Sequence, residues 1–252
     1  MTLENSATLR RQPRLLAEVA KTLIYALLLV IGVRTFLWQP FNIPTGSMVD
    51  TLLVGDYVWV NKFAYGYSRY SLPFGPPLFS GRVFGAEPQR GDIVVFKLPS
   101  DNATDYIKRV VGLPGDRIRV HGGILYINGE AAPQTLVGTV EVDGPFGAKA
   151  EARRYRETLP GGRTHDIIDM YEASVGDNTR EYVVPEGHYF MMGDNRDNST
   201  DSRSEDVGTV PYENLVGRAD AIFFSADGTA GFLDIWNWPG SVRWDRIFRS
   251  LR

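Results

Sequence analysis

The chain contains no cysteine. Neither a disulfide framework nor a thiolate metal site is available to it. Histidine is almost as scarce: His121, His165 and His188 are the only three, and no two stand at a metal-ligand spacing. None lies in a motif that would make it the base of a serine nucleophile. Charge of one sign is also lacking. The formal net charge is -3, which calls for neither nucleic acid nor another polyanion as partner. No internal repeat or low-complexity tract is visible.

What is present is turn chemistry. The 252 residues include 26 glycines and 15 prolines, with short Val, Ile, Tyr and Phe runs between them. That texture predicts a mainly β protein with many turns, and the length allows more than one core.

One segment departs from this texture. Thr22 to Val33 carries no charge, and Leu15 to Trp38 is apolar apart from Glu18, Lys21 and Arg34. A bilayer crossing takes about 20 mostly apolar residues. The segment reaches that length if Lys21 and Arg34 snorkel to opposite interfaces, with Phe36 and Trp38 in the outer aromatic belt. The exit, Arg34-Thr35-Phe36-Leu37-Trp38-Gln39-Pro40, has no Ala-x-Ala. An uncleaved anchor therefore fits better than a removed signal peptide or a buried soluble helix. Arg10, Arg11, Arg14 and Lys21 precede or open the run, which predicts a cytoplasmic N-terminus with everything after Trp38 outside.

Strands are predicted at Tyr57–Val60, at Ile93–Leu98 with both faces buried, and at Asp105–Gly112. Arg117–Val120 and Ile124–Ile127 read as a hairpin, and Ala221–Phe224 is the last clear strand. Tyr65–Gln89 is a long aromatic loop, open to a membrane-facing, substrate-facing or self-packed role. Composition turns polar between about Glu130 and Glu186. Trp244, Ile247, Phe248 and Leu251 recur at helical spacing among arginines. They predict a short basic helix, either on a membrane surface or docked on the body.

Two residues carry chemistry. Ser47 lies in Phe41-Asn42-Ile43-Pro44-Thr45-Gly46-Ser47-Met48, where Pro44 and Gly46 make a sharp turn. A serine hydroxyl needs a base to take its proton. Lys108 lies in the strand Asp105–Gly112, sharing a face with Tyr106 and Val110. A lysine serves as base only when neutral, and burial among apolar groups lowers its pKa. Alone, Lys108 reads as an edge-strand lysine with its amine in water and Ser47 as a helix N-cap. Together they point to a Ser–Lys hydrolase. The Ser47 N–H and the Thr45 hydroxyl suit an oxyanion site. The loop Gly193 to Arg203 fails the calcium-loop pattern, with Arg196 at its third position and Ser199 at its sixth. It reads either as a solvated turn or, fitting better, as a buttress in which Asp201 can pair with Arg203 and Ser199 can meet the lysine amine.

Four blocks then stand in order: Phe41 to Met48, Arg90-Gly91-Asp92-Ile93-Val94-Val95-Phe96, Tyr106 to Asp116, and Gly193 to Ser199. The chain resembles the type I signal peptidases (leader peptidases) of bacteria over Phe41 to about Arg203, apart from the polar insert. The resemblance implies a membrane-anchored serine endopeptidase that removes signal peptides from exported preproteins after small residues, in an Ala-x-Ala pattern, through an acyl-enzyme and without a cofactor or metal. It implies Ser47 as nucleophile, Lys108 as general base, and Thr45 with the Ser47 amide as oxyanion hole. Ser199 would orient the lysine, with Asp201 and Arg203 as support. Phe41, Ile43, Met48, Leu52, Val95, Tyr106 and Ile107 would line the substrate pockets.

The family fold implies a β-rich catalytic core with an inserted smaller β cap domain, preceded here by one transmembrane helix. The expected division is a cytoplasmic tail at 1–14, the membrane helix at 15–38, core at 39–129, cap at 130–186, core again at 187–225, and a membrane-proximal tail at 226–252. The implied place is the bacterial plasma membrane with the catalytic domain on the periplasmic side. The implied partners are preproteins, the lipid bilayer and the export machinery, and no nucleic acid. Three departures stand out. Some relatives carry two membrane segments before the nucleophile, Thr45 replaces the serine common at its position but keeps a hydroxyl, and the Tyr65–Gln89 loop is long. A dedicated Ser–Lys enzyme maturing a pilus or conjugation protein, and a membrane-tethered β domain that only binds secreted proteins, are the other readings.

Overall fold

The structure, a computed structural model, describes residues 5–72, 75–76, 78–143, 149–229 and 236–252, without the side chains of 5–14 and 143. Residues 1–4 of the expected tail, Phe232, and 144–148 of the expected cap lie outside the described residues.

The chain begins with α1 (Asn5–Phe36). Its stretch Leu15–Phe36 has 22 residues and a mean hydropathy of 2.0, and these residues are exposed apart from the half-buried Gly32 and the buried Thr35 near its end. At 1.5 Å per residue that is about 33 Å, enough for the roughly 30 Å hydrocarbon core of a bilayer. Trp38, expected in the helix, instead opens β1 (Trp38–Asn42), opposite Asn61. Pro40 explains the early stop, because proline does not continue a helix and biases its predecessor to extended backbone.

Thirteen further strands follow among the described residues. They are β2 (Asp56–Asn61), β3 (Ile93–Lys97), β4 (Asp105–Gly112), β5 (Arg117–His121), β6 (Ile124–Ile127), β7 (Glu130–Ala131), β8 (Gln134–Asp143), β9 (Lys149–Thr158), β10 (Thr164–Asp169), β11 (Tyr182–Val183), β12 (His188–Met192), β13 (Val210–Pro211) and β14 (Leu215–Ser225). The fold is mainly β with one N-terminal apolar helix. A seven-stranded antiparallel sheet runs β1-β2-β14-β3-β4-β12-β13. The apolar run of β3 sits in its middle, with Ile93, Val94, Val95 and Phe96 all buried. Val94 and Val95 stand opposite Lys108 and Ile107 of β4.

The polar insert forms the sheet β10-β9-β8. A third sheet, β11-β5-β6-β7, straddles the expected boundary at 129/130, since β7 and β11 join the hairpin β5–β6. Asn128 and Gly129 have positive φ, 55° and 86°, and fold β7 back onto β6. They turn the chain within one sheet rather than linking two domains.

The C-terminal tail is not the continuous basic helix that its spacing predicts. It holds one turn, α2 (Trp238–Ser241), then a 3-10 turn at Trp244–Arg246. Tertiary contacts override the helical period. Arg246 is buried and forms a double hydrogen bond to Asp56 of β2, at 3.1 and 2.6 Å. Leu251 joins the main core, and Ser250 bridges to Ala221 of β14. The loop 65–89 also packs on the body. Tyr65 is buried and donates from its hydroxyl to Asp92 at 2.8 Å, and Tyr67 donates to the carbonyl of Phe36 at 2.6 Å.

Candidate active site

Ser47 sits in a 3-10 turn, Gly46–Met48, between β1 and β2. Met48 behind it is wholly buried in the core with Ile43, Leu52 and Val95, which fixes the turn from below. The leading N–H groups of such a turn have no partner inside it, so the Ser47 amide is of the kind that can receive a substrate oxygen.

Lys108 reaches this turn from β4. Its Nζ lies 2.6 Å from Ser47 Oγ and donates to the Ile107 carbonyl at 3.1 Å. Both residues are buried, Ser47 at 7% exposure and Lys108 at 3%. The Tyr106 ring lies 5.3 Å from the amine. Burial pushes the Lys108 amine down to about 8, against the pull of Asp201 and Asp194, which act to raise it.

A cleft of about 640 Å³ opens over the pair. Phe41, Ile43, Thr45, Val95, Tyr106 and Ile107 line it, together with Ser47 and Lys108. Met48 and Leu52, expected on its walls, lie beneath them in the core; they shape the cleft by packing against Ile43 and Val95. Thr45 is exposed on its rim in extended backbone (φ -130°, ψ 153°) and does not cap the turn with its side chain.

The loop after β12 closes the site. Its Asn195 N–H donates to the Ser47 carbonyl at 3.1 Å, and the Asn195 amide donates to the Gly46 carbonyl at 3.2 Å. Asp201 and Arg203 pair through two hydrogen bonds of 2.9 Å. Burial acts to raise the Asp201 carboxyl, but the Arg203 charge and hydrogen bonds outweigh it and hold the group below its usual range. Ser199 does not bond to the lysine. The hydrogen-bond acceptors of Lys108 Nζ are Ser47 Oγ and the Ile107 carbonyl, whereas the Ser199 hydroxyl is buried over Gly193. A Cβ on Gly193 would lie 2.5 Å from both Ser199 Cβ and the Ser47 carbonyl oxygen. Only glycine lets the loop come this close.

The family described as "Signal peptidase, peptidase S26" matches residues 16–224. The signal peptidase I of Rickettsia canadensis is 42% identical over 255 residues, covering 93% of each chain, and that of Rickettsia typhi is 42% identical over 90% of each. The chain belongs to the signal peptidase family, peptidase S26. It is a peptide-bond hydrolase of that family. A crystal structure of a signal peptidase I from Enterococcus faecalis is 28% identical with a TM-score of 0.32, covering 53% of this chain and 97% of that one.

Several residues that hold the site did not stand out singly in the sequence. Arg109, next to Lys108, points the other way and forks onto Asp194 at 2.8 and 2.6 Å, both groups being buried. Thr51 donates to the same carboxylate at 2.5 Å. Arg196 forks onto Glu157 of β9 at 3.0 and 2.5 Å. The Arg196 N–H also bonds the Ile168 carbonyl of β10 at 2.9 Å. His165 lies between the two ion pairs, 3.4 Å from Glu157 and 3.9 Å from Asp194. Burial and the Arg109 charge push it down to about 4, so it is neutral near pH 7. The insert is thereby tied to the loop that closes the active site. The only sequence signal was alternation along β4, which puts Arg109 on the face opposite Lys108.

Proposed function

We propose that this chain removes N-terminal signal peptides from exported preproteins, cutting after small residues of the Ala-x-Ala type with a Ser47–Lys108 dyad. The observation that carries this is the 2.6 Å contact between Lys108 Nζ and Ser47 Oγ in the lining of a mostly apolar cleft. Among the described residues Lys108 is the side chain that hydrogen-bonds to the Ser47 hydroxyl, and burial makes this amine competent near neutral pH.

In the reaction, neutral Lys108 accepts the Ser47 proton as Oγ attacks the scissile carbonyl. The Ser47 amide and the Thr45 hydroxyl take up the charge that develops on the carbonyl oxygen. The ammonium returns its proton to the leaving amine, giving an ester between Ser47 and the signal peptide. Water, activated by the same lysine, then hydrolyses that ester. Ile43, Val95 and Ile107 leave room for alanine-sized side chains and exclude water from the amine. Ser199 supports the site through its packing over Gly193, and Asp201 with Arg203 fixes the loop.

Leu15–Phe36 serves as the single membrane span, with the N-terminus in the cytoplasm and the catalytic domain on the periplasmic side of a bacterial plasma membrane, where export machinery delivers preproteins. The test is incubation of the detergent-solubilised protein with a preprotein, wild type against Ser47→Ala. Cleavage at an Ala-x-Ala site by wild type alone is expected; equal cleavage by both proteins refutes the dyad. Resistance to alkaline extraction from membranes tests the span separately.

A further inference from the structure

A second cleft, of about 790 Å³, opens at the foot of α1. It shares Phe41 and Asp105 with the active-site cleft but contains neither Ser47 nor Lys108. Three cations line it, Arg34, Lys62 and Lys97, against one carboxylate, Asp105. The balance of the lining is therefore 3 − 1, or +2.

Asp105 is already engaged, with Lys97 Nζ 2.9 Å away. Lys62 is 3% exposed, and its Nζ donates to the Ser71 carbonyl at 2.6 Å. No carboxylate lies within ion-pair distance of Lys62 among the described residues, and Arg34 has no ion pair there either. A buried ammonium ordinarily has a counter-charge, because desolvation is otherwise uncompensated. Burial, then the Arg34 charge, pushes this amine down to about 8, with Asp105 pulling the other way and Lys97 adding to the fall. The lining asks for an anion that the described residues do not supply.

The remaining walls say which anion. Ile31 and Thr35 come from the last turns of α1, and Leu72 and Val216 add apolar surface. A small inorganic ion would leave that surface wet, whereas an amphiphile covers it. Arg34 marks the end of the apolar stretch, the level at which headgroups lie on the reading of α1 as a bilayer span, on which this inference rests.

We propose that this cleft binds the phosphodiester headgroup of an anionic phospholipid, with the phosphate between Arg34 and Lys62 and the first acyl segment against Ile31. Basic pockets beside membrane helices are suited to such headgroups. Bound lipid would fix the angle at which the body hangs from its helix, next to the active-site cleft.

The experiment uses the full chain in neutral detergent and three probes: dihexanoyl phosphatidylglycerol, dihexanoyl phosphatidylcholine and inorganic phosphate. Binding is read by calorimetry and by protection of Lys62 from an amine-reactive reagent, mapped by mass spectrometry. Phosphatidylglycerol is expected to bind about tenfold more tightly than either other probe and to protect Lys62. Arg34→Gln and Lys62→Met should each remove that preference, while cleavage of a short soluble peptide by Arg34→Gln stays at the wild-type rate. Equal binding of the two lipids overturns the proposal. Phosphate binding as tightly as phosphatidylglycerol overturns the lipid assignment, and an unchanged preference in Arg34→Gln overturns the site. Because the probes are water-soluble, these results do not depend on peptidase activity or on membrane insertion, and failure of either leaves the binding result readable.

Discussion

Lys62 and Lys108 are a natural pair for comparison. Each is 3% exposed and each amine is pushed down to about 8, chiefly by burial. Their partners differ. Lys108 Nζ meets a serine hydroxyl at 2.6 Å, which has a proton to give. Lys62 Nζ meets the Ser71 carbonyl at 2.6 Å, which has none. The surroundings differ as well. Asp201 and Asp194 face Lys108 and each is held by an arginine, while Lys62 has Arg34 and Lys97 beside it, with Asp105 as the carboxylate that opposes them. A lowered pKa therefore reports dehydration, and the nucleophile within reach decides whether it becomes base chemistry.

The largest expected effect breaks the pair apart. Lys108→Met should lower preprotein cleavage by about 10²–10⁴-fold, the range for losing a general base, with the protein still folded. Lys62→Met should leave cleavage of a soluble peptide unchanged. Equal losses in the two variants, measured as kcat/KM, would remove the distinction drawn between them.

The next effect tests the Arg109–Asp194 ion pair beside Lys108. Arg109→Met leaves Asp194 buried without its partner, at about 3–5 kcal/mol of stability, read as a fall in Tm. Asp194 acts to raise the Lys108 amine, so removing its counter-charge should also move the amine upward and leave Lys62 where it was. A Tm unchanged by this substitution would show that the ion pair does not hold the loop.

Lys62→Met should act in the opposite sense on stability. The amine falls from 10.5 to about 8 on folding, which corresponds to about 3 kcal/mol. The protonated form favours the unfolded chain, so this penalty is fully present below about pH 8 and gone above about 10.5. Losing the bond to Ser71 offsets about 1 kcal/mol. A net gain of about 2 kcal/mol at pH 7 is expected from denaturant melts, shrinking as pH rises through 8. A gain that persists undiminished at pH 11 would contradict the charge argument.

Much of this was legible in the sequence, and the boundary is physical. The ends of β4 fall at Asp105 and Gly112 as expected, because the β-branched Ile107, Val110 and Val111 stand between clear turns. Ser47 and Lys108 were legible because each is odd for its setting: a serine in a tight turn and a lysine in an apolar strand. What paired with what was not legible. Arg109 meets Asp194 85 positions away, and Arg246 meets Asp56 190 positions away; a charge in a sequence does not name its partner. The tail shows the same limit. Trp244, Ile247, Phe248 and Leu251 keep helical spacing, yet the Arg246–Asp56 pair and the bridge from Ser250 to Ala221 hold the chain in turns. Ser199 was expected on the lysine, but the space above Gly193 took it, and no local pattern encodes that space.

The smallest effect is a displacement along the pH axis. Lys108 must be neutral to accept the Ser47 proton, so kcat/KM should rise with pH, tenfold per pH unit well below about 8, and level off above it. Asp201 is the leading charge that raises this amine, so Asp201→Asn should shift the limb toward lower pH, and Arg109→Met should shift it higher. Lys62 titrates over the same range, so the profile alone does not say which lysine it reports. Lys62→Met settles this. If the limb stays at about 8 in that variant, the titrating base is Lys108. If it moves with Lys62, the cation cleft reaches the active site through Asp105 and Phe41, and the two lysines form one electrostatic unit.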